Sequence, residues 1–190
     1  FLYSVDALHA AITGGWQVQF TYCEWNLDKK MTPRHGGRLY RVSPWALVWE
    51  NGNYYLIAYT EGHLRHYRVD KMQQVVPLEG EAREGADEYA EFDVNAYTQQ
   101  MFGMFNGPLK KVTLKCENRL AGAMIDRFGT GPALVPYAGG ESFVITVDVQ
   151  VSPQFYGWVA GFGTGIEILA PAEVRAEMCR TLDTLEDLYR

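Results

Sequence analysis

The sequence predicts an α+β protein made of two small domains, a compact antiparallel β-barrel followed by a ferredoxin-like α/β domain. Three observations carry this. Five short apolar and aromatic runs, separated by turn residues, crowd into residues 16–78, and closing so many short strands without open edges favours a barrel. The stretch PLEGEAREGADEYAEF follows, acidic and without apolar periodicity, and reads as a linker. From Lys111 the order becomes strand-helix-strand-strand-helix-strand, the ferredoxin-like arrangement. The expected domains are an N-terminal helix at 1–15, the barrel at 16–78, acidic linker and helix at 79–110, and the second domain at 111–190.

In chain order, SVDALHAAITGG predicts a helix with Ser4 as N-cap, Val5, Leu8 and Ile12 on one face, and Gly14-Gly15 closing it. QVQFTYCE alternates strictly, with Val18, Phe20 and Tyr22 on one face, as a half-buried strand does. Residues 26–38 are polar, basic and rich in turn residues, which predicts a loop. LYRVSPWALVWE is a long strand that Pro44 must bend or place at an edge. Asn51-Gly52 is the strongest two-residue hairpin signal, and NYYLIAYT, LRHYRVDKM and QQVV complete the strands. DVNAYTQQMFGMF predicts a helix.

In the second half, VTLKC is a strand, and NRLAGAMIDRFG a helix with Leu120, Met124 and Phe128 on one face. ALVPY and SFVITVDVQV are strands, PQFYGWVAGFG a helix opened by proline, and IEIL a strand. PAEVRAEMCRTLDTLEDLY predicts a long helix burying Val174, Met178, Leu182 and Leu185.

A chain of 190 residues that is 47% hydrophobic can bury a real core. The three cysteines show no zinc spacing and suit reduced thiols in the cytoplasm. No apolar run has the length of a membrane span and no signal peptide is legible, so no membrane partner is expected. The chain begins at Phe1 rather than Met, which predicts a portion of a longer protein. The net charge of −6 is segregated. Residues 16–78 hold eight Lys/Arg against five Asp/Glu, whereas 79–93 hold one against seven, so partners must be argued by region.

Enzymatic motifs are missing. The four histidines (His9, His35, His63, His66) form no HExxH, and no Walker sequence or GxSxG elbow occurs. Cys116 has no base identified beside it. GFGTGIE has the outer look of a phosphate loop, but it follows a helix and precedes a strand, the reverse of the dinucleotide fingerprint, and reads as a turn. No catalytic residue, metal or cofactor is predicted.

The informative stretch is ENGNYYLIAYTEGHLRHYRVDK, a hairpin whose second strand carries two arginines and a histidine. Alternation puts Arg65, Tyr67 and Val69 on one face and His66, Arg68 and Asp70 on the other. Clustered guanidinium and phenol groups suit an anionic or aromatic ligand, because arginine forks phosphate and both side chains stack. Lys29, Lys30, Arg34 and Arg38 extend the positive field. The plainer alternative is that Arg68 pairs with Asp70 or Glu61.

YRVSPWALVWENGNYYLIAYTEGHLRHYRVDKM resembles the core of the WYL domain family, with Tyr54-Tyr55-Leu56 at the naming tripeptide. Arg65, Tyr67, Arg68, Asp70 and Lys71 stand on the closing Arg-x-Phe-Arg-x-Asp-Arg strand. WVAGFGTGIEILAPAEVRAEM resembles the WCX extension that follows WYL, with Trp158, Gly161-Phe162-Gly163 and Pro171 at its positions. The resemblance implies an Sm-like (SH3-like) small β-barrel acting as the ligand-sensing region of a bacterial transcriptional regulator. Its helix-turn-helix DNA-binding domain would lie outside this chain. By position, Tyr55, Arg65 and Arg68 would line the pocket, with His66 a neighbour. The implied ligand is anionic, single-stranded nucleic acid or a nucleotide-like molecule, and a homodimer is a further expectation. The alternatives are a direct single-strand-binding module, a nucleotide hydrolase and a structural dimerisation module. Tyrosine for tryptophan at 54 and lysine for arginine at 71 leave ligand choice open.

Overall fold

The computed structural model describes residues 2–190 and divides after Phe92 into two compact units. In the first, α1 (Leu2–Gly14) buries Leu8 and Ala11 against the sheet and ends at Gly15, whose φ of +71° suits glycine. The helix starts at Leu2, so Ser4 lies in its first turn rather than capping it.

Strand β1 (Trp16–Trp25) is the hub. It pairs with β2 (Met31–Pro33), with the first part of β3 (Leu39–Glu50) and with β6 (Met72–Ala82), all antiparallel. The expected loop at 26–38 thus contains a short strand. The Asn26 side chain holds its turn by accepting the amides of Asp28 and Lys30 at 3.0 and 2.9 Å. Pro44 marks a change of partner. Residues 39–42 of β3 pair with β1, residues 43–50 pair with β4 (Asn53–Thr60), and a register shift falls between Pro44 and Ala46. β4 pairs in turn with β5 (His63–Arg68), and one 3-10 turn, Val69–Lys71, leads into β6. The path therefore runs β6-β1-β3-β4-β5, and no β5–β6 ladder closes it among the described residues. One bond crosses that opening: the Arg68 amide donates to the Tyr22 hydroxyl at 3.0 Å. Val18, Phe20, Val42, Leu56, Ala58, Tyr67, Val69 and Met72 fill the core.

The acidic stretch is tied to this unit. β6 continues to Ala82, opposite Trp16. The Arg83 guanidinium lies 3.6 Å from the Trp45 ring centroid and donates to the carbonyls of Ile12 and Pro44. A short helix, α2 (Ala86–Ala90), then stacks Tyr89 on the Trp45 ring, with 4.8 Å between centroids.

The second unit opens with α3 (Val94–Gln100), capped by Asp93. It continues β7 (Leu109–Glu117), α4 (Ala121–Phe128), β8 (Val135–Pro136), β9 (Ser142–Gln150), α5 (Pro153–Ala160), β10 (Ile166–Ala170) and α6 (Ala172–Leu188). The sheet order β10-β7-β9-β8 is antiparallel throughout, and the β-α-β-β-α-β element order matches the one expected. Val112, Leu114, Cys116, Ile145, Val147 and Val149 face Met124, Phe128, Phe155 and Val159 in one core. The Ser152 hydroxyl caps α5 at the Phe155 amide, and Pro153 occupies its first turn.

The last helix departs from expectation. Val174 is buried and Met178 packs on the core, but Leu182 and Leu185 are 48% and 45% exposed. A 17-residue helix is about 25 Å long, whereas the five-residue strand beside it spans about 17 Å, so the helix outruns its support.

Candidate ligand-binding groove

The four expected site residues divide between the two faces of the β4–β5 ribbon. Its register pairs Tyr55 with Arg68, Ile57 with His66 and Ala58 with Arg65. Leu56, Ala58 and Tyr67 belong to the core face, so Arg65 leaves the ribbon on that side. Tyr55, His66 and Arg68 lie on the other. Three of the four are brought together and Arg65 is not among them.

On the Tyr55 face the arginine is already engaged. Arg68 forks Asp70 through Nε and Nη2 at 3.0 and 2.7 Å, and Nη2 also reaches Asn53 Oδ1 at 3.1 Å. Hydrogen bonding from Arg68 holds the Asp70 carboxyl below its ordinary value, and the same bond raises Arg68. Tyr55 is 5% exposed, meets the His66 ring edge-on at 5.8 Å, and has its phenol pushed up by burial. The plainer alternative for Arg68, pairing with Asp70, is what the geometry shows.

Arg65 opens onto a groove. It emerges near the bend of β3, where residues 39–42 pair with β1 instead of β4 and the gap is not filled by a strand. A cavity of about 320 Å³ lies there, lined by Arg38, Tyr40, Arg41, Glu61, Arg65 and Tyr67 among others. A second cavity of about 330 Å³ shares Arg41 and Glu61 and continues to Tyr59 and Glu84. Three guanidinium groups therefore border one groove. Arg65 Nε is 2.6 Å from His63 Nε2, and Nη2 is 3.3 Å from Glu61. Arg41 is held by Gln17 at 2.7 Å and Glu81 at 2.8 Å. Arg38 lies 5.2 Å from the Tyr40 ring centroid and makes no ion pair among the described residues. These pairs are about half-exposed, a setting in which ion pairs are worth little and exchange readily for a competing anion.

A cluster of packed aromatic rings backs the groove wall. Tyr40 stacks on Phe20 at 5.5 Å, and Tyr67 meets Phe20, Tyr22 and Tyr40 edge-on. Burial pushes the Tyr67 phenol up to about 12, so it is neutral at physiological pH. Sequence reading named Arg38 only as a loop charge and did not name Tyr40 or Arg41. The alternating Tyr-Arg-Val before Pro44 was the available signal, but periodicity does not say which strand lies across a bend. Of the remaining loop charges, Arg34 pairs with Glu24 at 3.5 Å. Among the described residues no cluster of three or more metal-ligating side chains occurs, and no helix is long and apolar enough to cross a membrane.

The family profile of the WYL domain matches residues 4–77, and that of the WCX domain matches residues 108–185. Among solved structures, a protein described as proteasome accessory factor B/C (PafBC) of Arthrobacter aurescens is similar at 22% identity over 97% of this chain, with a TM-score of 0.40. A CRISPR Cas-related protein is similar at 14% identity over 99% of the chain, with a TM-score of 0.54. The chain spans 27% and 52% of the lengths of those two proteins. No curated protein matches it.

Proposed function

We propose, from the premise that this chain belongs to the WYL family and carries a WCX domain behind its WYL domain, that it is the ligand-sensing effector region of a bacterial transcriptional regulator. The ligand is anionic, a single-stranded nucleic acid or a nucleotide-like molecule, and it occupies the groove beside Arg65. The supporting observation is that one groove gathers Arg38, Arg41 and Arg65 around Tyr40 and Tyr67. Guanidinium forks take phosphate oxygens, and an arginine or tyrosine face accepts a base. The strand order and the single 3-10 turn between β5 and β6 suit an Sm-like barrel, with the site at the bend where β3 changes partner. The role is binding rather than turnover, since the groove offers no nucleophile with a base beside it.

Within this reading the ligand acts as a switch by binding two states of the regulator with different affinity. The transmitted change reaches either a helix-turn-helix domain outside this chain or a second subunit in a cytoplasmic dimer. Arg68 serves the fold, and Arg65 serves the ligand.

Fluorescence anisotropy with labelled single-stranded DNA and RNA tests the reading. If three phosphates are neutralised, affinity falls about 20-fold between roughly 50 and 200 mM salt. Arg38→Ala and Arg65→Ala should each weaken binding about tenfold, and Arg68→Ala should leave it nearly unchanged. Competition by a mononucleotide separates a small-ligand sensor from a strand-binding module. Absence of binding at the lower salt, by strand and mononucleotide alike, would refute the nucleic-acid and nucleotide assignment.

A further inference from the structure

We propose that the second unit carries a separate binding site for a small zwitterion of the α-amino-acid class. The site lies at one end of its sheet, where β7 finishes and β9 and β10 begin. A cavity of about 510 Å³ opens there, within the range of small-molecule sites. Val112, Leu114 and Cys116 point into the core, so alternation sends Lys115 and Glu117 to the opposite face, with Glu167 across from Lys115.

Which charges are already spent decides what the cavity accepts. Glu117 is taken by Arg119 at 2.5 Å. Glu167 is taken by Arg175 from α6, also at 2.5 Å, and that bond holds its carboxyl below the ordinary value. Lys115 and Glu141 remain. Both line the cavity, and among the described residues neither makes an ion pair, although Lys115 lies opposite Glu167 and adds at longer range to the lowering of its carboxyl. The Lys115 ammonium rests 4.9 Å from the Tyr137 ring centroid, a contact that leaves its hydrogen-bond donors free. One unspent cation and one unspent anion thus border a single cavity without meeting each other. A ligand carrying both charges joins them, its carboxylate on Lys115 and its ammonium on Glu141, with the hydroxyls of Ser142 and Thr164 beside it.

The same charges argue against other occupants. With Glu117 and Glu167 already paired, a phosphate or nucleic-acid strand would meet one unpaired cation, Lys115, and the unpaired carboxylate of Glu141, which repels it. The glycine-rich turn GFGTG therefore has a different use from a phosphate cradle. A Cβ at Gly165 would stand 2.8 Å from Leu120 Cδ1 and 3.1 Å from Arg119 Nη2. Glycine at that point leaves room for Leu120 and for Arg119, which pairs with Glu117.

The test is isothermal titration of the full chain with each proteinogenic L-amino acid, up to about 1 mM, the weak end of specific affinity. At least one should bind at one site per chain. Its N-acetyl and carboxamide derivatives, each lacking one charge, should bind about tenfold more weakly or worse. Lys115→Gln and Glu141→Gln, at positions outside the core and checked for folding by circular dichroism, should each cost a similar factor. Arg38→Ala in the first unit should change nothing, which keeps this result independent of the groove described above. Silence from every amino acid would overturn the proposal. So would binding that both substitutions leave intact, or that the blocked derivatives share.

Discussion

The Arg68–Asp70 pair gives the sharpest test of how this domain spends its arginines. The perturbation is a double-mutant cycle of Arg68→Ala, Asp70→Asn and the two together. Both side chains are about one-third exposed, at 34% and 33%, so solvent screens the pair. Exposed ion pairs contribute about 0.2–1 kcal/mol, and the forked geometry at 3.0 and 2.7 Å puts this one near the top, at about 1 kcal/mol of coupling. Arg68→Ala alone also removes the bond to Asn53 and should cost about 1.5–2 kcal/mol. Asp70 has a lowered pKa in the folded state, so its contribution is present above the unfolded value. It is lost as the pH falls through the depressed one. Urea denaturation of the four proteins should therefore show the coupling at pH 7 and its disappearance on acidification below the ordinary carboxylate range. Coupling near zero at pH 7, or coupling that grows on acidification, would contradict the argument. The same Arg68→Ala protein should retain its oligonucleotide affinity. If it instead loses binding while Arg65→Ala does not, the ligand site belongs on the Tyr55 face.

Three other outcomes are expected. Tyr22→Phe removes the acceptor of the Arg68 amide and should cost about 1 kcal/mol, with faster hydrogen exchange at that amide; unchanged exchange would mean that the bond does not span the seam. Gly85→Ala places a Cβ 2.3 Å from Tyr59 Cγ at a φ of +85°, and should destabilise by more than about 2 kcal/mol in thermal denaturation. A neutral result there would show that the 85–92 segment repositions freely. Burial keeps Cys23 and Cys116 protonated, with Cys116 pushed up to about 11, while Cys179 is exposed. Native protein should take one iodoacetamide adduct by mass spectrometry, and urea-unfolded protein three; early modification of Cys116 would contradict its burial.

Strand and helix identity was legible because period is a local property. The alternation of Val18, Phe20 and Tyr22, the Asn51-Gly52 turn and the helix start at Pro153 all appear where residue pattern placed them. Two features were decided above that level. Leu182 and Leu185 have the spacing of a buried face, but burial also needs a surface to pack on, and β10 is too short to supply one. The acidic stretch has the composition of a linker, yet Arg83 anchors it through Trp45, a residue far away in sequence.

The site shows the same division. Residue chemistry alone established that the β4–β5 hairpin carries arginines with tyrosines, and alternation placed Arg65 opposite Arg68. Local sequence offered Asp70 or Glu61 as a partner for Arg68 but could not decide whether the pair forms. Asp70 lies two residues from Arg68, but it engages only because the chain turns into a 3-10 helix at Val69. Tyr40 and Arg41 join Arg65 only because β3 changes partners at Pro44 and leaves an unfilled gap. Charge and aromaticity are properties of residues, whereas a groove is a property of strands that separate, and strand separation is decided by tertiary pairing.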